Sequence, residues 1–314
     1  MNQVRQLVIL TIMGMGLGAA WDVEAQDTNL NLTAIQAGAA KGDANAQYEL
    51  GRCYEKGRGV PQDLARAASY MRLAADQGNA AAQGQLGYYY GQGLGVTQDP
   101  VAALQWYQKS AAQGNAVAEF GLGYIYSMGR GAPPDTKLAI EWWQKAADHN
   151  LVEAENALGQ LYFQQARTNP ASNALAFEWL HKAAENGSMA AMNNLGTIYE
   201  YGRGVKKNFT AAAKWYEQAA RQGIAAAQAN IGLLYLDGRG VTKDYVQAYA
   251  WFKLSAAGGN VTGKKYVSQC DEHQLLNTNQ LAEAERFVTS FQNGQTSGEK
   301  VQASTAKGSG ATSH

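Results

Sequence analysis

The chain has 314 residues, with 26 basic and 26 acidic side chains and a formal net charge of zero. That balance excludes the basic surface with which a nucleic-acid binder displaces counterions, and 46% apolar residues exclude wholesale disorder. Two cysteines cannot build a dense disulfide framework, and with four scattered histidines they offer no metal-ligand spacing.

Residues 1–25 read as a cleavable export signal. Arg5 supplies a basic start, Leu7 to Ala20 is an apolar run too short to span a bilayer, and Val23 and Ala25 set up cleavage before Gln26. No later stretch is long and apolar enough to suggest a membrane span. Residues 26–43 are expected to form an N-terminal capping helix, running from Leu30 to Lys41 and ending at Gly42.

From 44 to 259 one pattern is used six times. Leu50-Gly51 returns as Leu86-Gly87, Leu122-Gly123, Leu158-Gly159, Leu195-Gly196 and Ile231-Gly232, every 36 residues and once after 37. An alanine stands five residues before each glycine and a tyrosine three after it. Ala46, Leu50 and Tyr54 thus share one helical stripe, as do their counterparts in every unit. A second helix follows, carrying Tyr70, Trp106, Trp142, Trp179, Trp215 and Trp251 in one register, and these aromatics are expected in the core. Asp63, Asp99, Asp135, Ser172, Asn208 and Asp244 are its expected N-caps. Glycines at 42, 78, 114, 187, 223 and 259, with Asn150 once in their stead, end the second helices and the leading cap.

Between the two helices lies Gly57-Arg58-Gly59-Val60 or its equivalent. Its recurrence in five of six units, with no Lys-Ser/Thr following, makes it a structural turn and not a phosphate cradle. The fourth unit replaces it with Gln165 to Pro170 and should be irregular there. Beyond 260 the pattern decays into C-terminal capping helices over 260–292, the last from Asn279 to Phe291, as an array needs to cover its ends. Residues 293–314 are expected to form a disordered tail.

The six-fold pattern Ala-x-x-x-Leu-Gly-x-x-Tyr, Gly-x-Gly-Val and Trp-x-x-Lys-Ala-Ala resembles the Sel1-like repeat family, relatives of the tetratricopeptide repeats. The resemblance implies an all-α fold, an α/α right-handed superhelical solenoid of six helix pairs with terminal caps. It also implies a protein-interaction scaffold, and many such proteins are exported by bacteria. By analogy with tetratricopeptide arrays, the positions three before and one, four and five after each Leu-Gly glycine would face a concave groove. Tyr48, Arg52, Tyr88, Phe120, Tyr124, Asn156, Gln160, Asn193 and Tyr201 are the candidate contacts for a peptide or protein partner there. Aromatics supply rigid contact area and side-chain amides can clamp a peptide backbone. The alternative for the aromatics is packing between adjacent units.

No catalytic constellation is legible, and no cofactor or metal site is expected. His149 and His181 fall near the ends of second helices, where a partial positive charge is favoured. Ser297-Gly298-Glu299-Lys300 matches a serine-enzyme tetrad but lacks its partner motifs. Some disulfide-rich relatives are described as β-lactamases, but this chain has no paired cysteines in its repeats. The reading is therefore a non-enzymatic binding scaffold of the periplasm or a secreted one. A hydrolase of β-lactam or cell-wall-derived substrates and a structural subunit of an envelope export assembly are the alternatives. Cys53 and Cys270, five units apart, are expected as buried thiols.

Overall fold

The computed structural model describes residues 31–305, with side chains to Gly294; the expected signal segment and the last nine residues lie outside the described part. Fifteen helices make up the described chain, with no strand among them. Helix α1 is Leu32–Ala40. The six pairs are α2 (Ala44–Lys56) with α3 (Leu64–Asp76), α4 (Ala80–Gln92) with α5 (Pro100–Ala111), and α6 (Ala116–Met128) with α7 (Thr136–Asp148). Then come α8 (Val152–Gln165) with α9 (Ser172–Glu185), α10 (Met189–Tyr201) with α11 (Phe209–Arg221), and α12 (Ala225–Asp237) with α13 (Tyr245–Ala257). Helices α14 (Val261–Glu272) and α15 (Thr278–Thr305) follow. The helices form two compact units, one ending at Leu158 and one beginning at Gly159.

Local chemistry sets most boundaries. Asp63, Asp99, Asp135, Asn208 and Asp244 accept hydrogen bonds from backbone N–H groups in the first turns of their second helices, as expected. Ser172 does not. The N-cap of α9 is Ala171, without a side-chain cap, because Asn169 in the glycine-free loop takes the Ala171 N–H at 3.2 Å and the helix starts past it. The first helices have caps of their own, Asp43, Asn79, Asn115 and Ser188 among them. Gly78 adopts φ 92° and Asn150, in the equivalent place, φ 60°.

The central packing device is the Leu-Gly glycine. A Cβ on Gly123 would lie 2.3 Å from Trp143, on Gly196 2.4 Å from Tyr216, and on Gly232 2.7 Å from Phe252. The glycine lets the first helix receive a bulky side chain from its own second helix at close range. That side chain is not the recurrent aromatic but the residue after it: Met71, Tyr107, Trp143, Leu180, Tyr216 or Phe252, every one buried. This corrects the core expectation. Trp106 and Trp251 are buried, whereas Tyr70, Trp142, Trp179 and Trp215 are half-buried, as are the six recurrent tyrosines three after each glycine. Successive helical positions are about 100° apart, so only one of two adjacent residues can point straight at the glycine.

Two further expectations meet the structure at the ends. Cys53 and Cys270 are free and buried. The final helix is described from Thr278 to Thr305, and the rest of the expected tail lies outside the described residues.

Candidate functional site

The first helices are more enclosed than their sequence stripes imply. Helix α4, for example, packs against α5 of its own pair, α3 of the preceding pair and α6 of the next. Three neighbours leave little of its circumference open. Tyr48, Arg52, Phe120, Tyr124 and Asn156 are accordingly buried, and Tyr88, Gln160 and Asn193 half-buried. This corrects the expectation that these positions line an open face. Only Tyr201 of the candidate set is exposed, at 61%.

The buried members have internal partners. Arg52 donates from Nη1 to the Tyr48 hydroxyl at 3.1 Å and lies 3.5 Å from the Glu55 carboxylate, which also accepts from Gln85 at 3.1 Å. Burial of the Arg52 guanidinium opposes its charge, but Tyr48 and Glu55 outweigh burial and raise its pKa. The Phe120 carbonyl accepts the Trp143 indole N–H at 3.2 Å. Asn193 accepts from Asn230 at 3.1 Å. Tyr124 forms part of the wall of a pocket of about 330 Å³.

A second polar series went unread in the sequence. Gln83 donates to the Ala75 carbonyl at 3.1 Å and Gln228 to Ala220 at 3.1 Å, each capping the last turn of the preceding second helix. In the first two repeats this glutamine also meets an amide at the end of its own second helix: Gln113 donates to Gln83 at 2.8 Å, as Gln77 does to Gln47 at 2.7 Å. In the third repeat, Glu119 and His149 occupy these two places, 3.8 Å apart. Burial raises the Glu119 pKa and His149 pulls it back. His149 thus belongs to a structural pair, and His181 packs between the rings of Phe177 and Trp215. The recurrence of Gln at 47, 83 and 228, four before the glycine, was the available signal.

Five of the six repeats expose the residue five after the glycine, in the last turn of the first helix: Lys56, Gln92, Gln164, Tyr201 and Asp237; Met128 of the third repeat is half-buried. The side chains are basic, amide, aromatic or acidic from unit to unit, with glutamine used twice. Arg203 lies 5.5 Å over the Tyr201 ring and 4.8 Å over Phe163, so the exposed tyrosine sits beside a cation and a second ring.

The helix pairs, the glycine-centred packing and the spacing define an all-α repeat solenoid. The model of the Sel1 repeat matches residues 44–79, 80–115, 116–151, 152–188, 190–224 and 225–260, and the chain belongs to the Sel1 repeat family. Proteins built on these repeats generally mediate protein–protein interaction, and the solenoid is typically a non-catalytic scaffold. Among solved structures, the chain is similar to a protective antigen present in uropathogenic Escherichia coli strains that displays an SLR fold, with 34% identity and a TM-score of 0.79. That match covers 90% of this chain, which spans 60% of the antigen's length. It is also similar to a Sel1 repeat protein from Oxalobacter formigenes, with 31% identity and a TM-score of 0.64, covering 78% of this chain and 96% of that one. No curated protein matches the chain. No helix among the described residues is long and apolar enough to cross a membrane.

Proposed function

We propose that the protein is a non-catalytic scaffold of the bacterial cell envelope that docks a protein or peptide on exposed last turns of first helices in its second compact unit, around Tyr201. The observation that carries this reading is Tyr201, 61% exposed and beside Arg203. A large aromatic exposed to solvent supplies contact area with only two side-chain torsions to order, and such residues dominate binding energy at interfaces. Gln164 and Asp237, exposed at the same position of the two flanking repeats, supply the differences between repeats that a specific partner would read. Export is supported by the N-terminal signal pattern and by similarity to a protein described as a protective antigen.

The test is quantitative capture from an envelope fraction by the wild-type chain and by Tyr201→Ala, beside thermal melts of both. The expected result is one stoichiometric partner lost by about tenfold or more, equivalent to about 1.4 kcal/mol, at an unchanged melting temperature. Equal capture by the two proteins overturns the assignment of Tyr201. Recovery of the native protein with Met1 intact overturns export by cleavage.

A further inference from the structure

At three junctions between consecutive repeats, the second with the third, the fourth with the fifth and the fifth with the sixth, the residue four after one Leu-Gly glycine is matched in register with a loop arginine of the next repeat, Arg130, Arg203 or Arg239. Between the fifth and sixth repeats this slot holds Glu200. Its buried carboxylate accepts from the Tyr216 hydroxyl at 2.9 Å and from Arg239 Nη1 at 3.1 Å. Between the fourth and fifth it holds Phe163, with Arg203 over its ring. In both cases the arginine is matched by a side chain from within the protein.

The junction between the second and third repeats keeps the tyrosine and the arginine and lacks the acid. Tyr107 stands where Tyr216 does, Arg130 where Arg239 does, and Gly91 in place of Glu200. Two more positions are smaller: Gly121 for Asn230 and Pro100 for Phe209. The space left is the pocket of about 330 Å³, lined by Gly91, Pro100, Tyr107, Gly121, Tyr124 and Arg130 among others. A Cβ on Gly91 would meet nothing nearer than Ala103 at 3.8 Å, so the place where the glutamate would begin is open. Arg130 makes no ion pair among the described residues. The Tyr124 hydroxyl is buried without a hydrogen-bond partner there. Burial raises its pKa, and the nearby Arg130 charge acts in the opposite sense.

We propose that this pocket binds a carboxylate supplied from outside the chain, in the slot that the Glu200 carboxylate fills at the later junction. Arg130 is its counter-ion and the Tyr124 and Tyr107 hydroxyls are its donors. The tyrosine rings, Pro100 and Ala103 form an apolar wall for the group that carries it. An unmatched cation beside a buried, unpaired hydroxyl favours an anionic acceptor, because a charge-assisted hydrogen bond removes the cost of leaving the donor unmet. The volume suits one side chain or a small acid. The inference stands on the pocket and is independent of Tyr201.

The full chain would be titrated, by calorimetry and by NMR, with glutarate, with the peptide Ac-Ala-Glu-Ala-NH2 and with its glutamine analogue. At least one carboxylate probe should bind, and the glutamine peptide should bind about tenfold or more weaker, a difference of about 1.4 kcal/mol. Arg130→Gln should weaken the carboxylate probe similarly, while Arg203→Gln, at the phenylalanine-filled junction, should leave it unchanged. Gly91→Glu should abolish binding by filling the slot from within, and should melt no lower than wild type because it removes a glycine from a helix. Tighter binding of the peptide points to an acidic side chain of a partner protein; tighter binding of glutarate points to a free small acid. Failure of both carboxylate probes to bind overturns the proposal. So does equal binding of the glutamine peptide, or retained binding by Gly91→Glu or by Arg130→Gln.

Discussion

Two rows of side chains run along the second helices, one residue apart, and they differ in an instructive way. The first, Tyr70, Trp106, Trp142, Trp179, Trp215 and Trp251, is nearly uniform in type, yet four of its six members are half-buried. The second, Met71, Tyr107, Trp143, Leu180, Tyr216 and Phe252, ranges from methionine to tryptophan, and every member is buried. Uniformity in a repeat therefore does not measure depth. The deep row varies because a glycine opposite each residue accepts whatever bulk arrives, and the rest of the pair packs around it. The shallow row is uniform because a flat indole can cover a junction on one face and take a cation on its other. Lys109 and Lys145 each lie 4.1 Å from the indoles of Trp106 and Trp142.

The adjacent tryptophans of α7 put this contrast to its hardest test. Trp143→Ala should cost about 3–5 kcal/mol, since it empties a buried site and removes the bond from the indole N–H to the Phe120 carbonyl. Trp142→Ala, half-buried, should cost about 1–2 kcal/mol, nearer the ordinary range for substitutions. Chemical denaturation of both variants decides the order. Equal losses would mean that the two rows share the core.

Gly123→Ala comes next in size. The added Cβ would sit 2.3 Å from Trp143, and overpacking of that kind costs about 1–3 kcal/mol, against which alanine returns about 1 kcal/mol of helix propensity. In a Trp143→Ala background the clash is gone, so the same change should be neutral or stabilising. A double-mutant cycle that showed plain additivity would sink the account of the glycine as a receiver for the second helix.

Much of this architecture was legible in the sequence. The spacing of Leu-Gly pairs located every helix pair, and the Asp and Asn caps fixed five of the second-helix starts. Ser172 misled because its loop alone lacks glycine, and Asn169 captures the turn before it. The candidate surface was harder to read. A stripe analysis treats a helix as having one buried face, which holds for a helix lying on a single neighbour. Helix α4 has three, so Tyr88 on its supposed open face is half-buried, and the same enclosure takes in Phe120 and Tyr124 on α6. The slot at Gly91 was visible only by setting one junction against another, because a glycine in a glycine-rich chain announces nothing by itself.

The smallest expected effect tests why the shallow row is uniform. Lys145 is exposed, and its Nζ lies over the Trp142 ring. Lys145→Gln keeps most of the stem and removes the charge, so the loss reports the cation–π attraction rather than packing, and should be about 0.5–1 kcal/mol. The interaction is electrostatic, between a cation and the negative face of the ring. It should therefore shrink when Trp142 is replaced by leucine, which covers the junction but offers no such face. If Lys145→Gln costs the same in the Trp142→Leu background as in the wild type, the lysine acts elsewhere. The recurrence of tryptophan along the second helices would then owe nothing to its pairing with a cation.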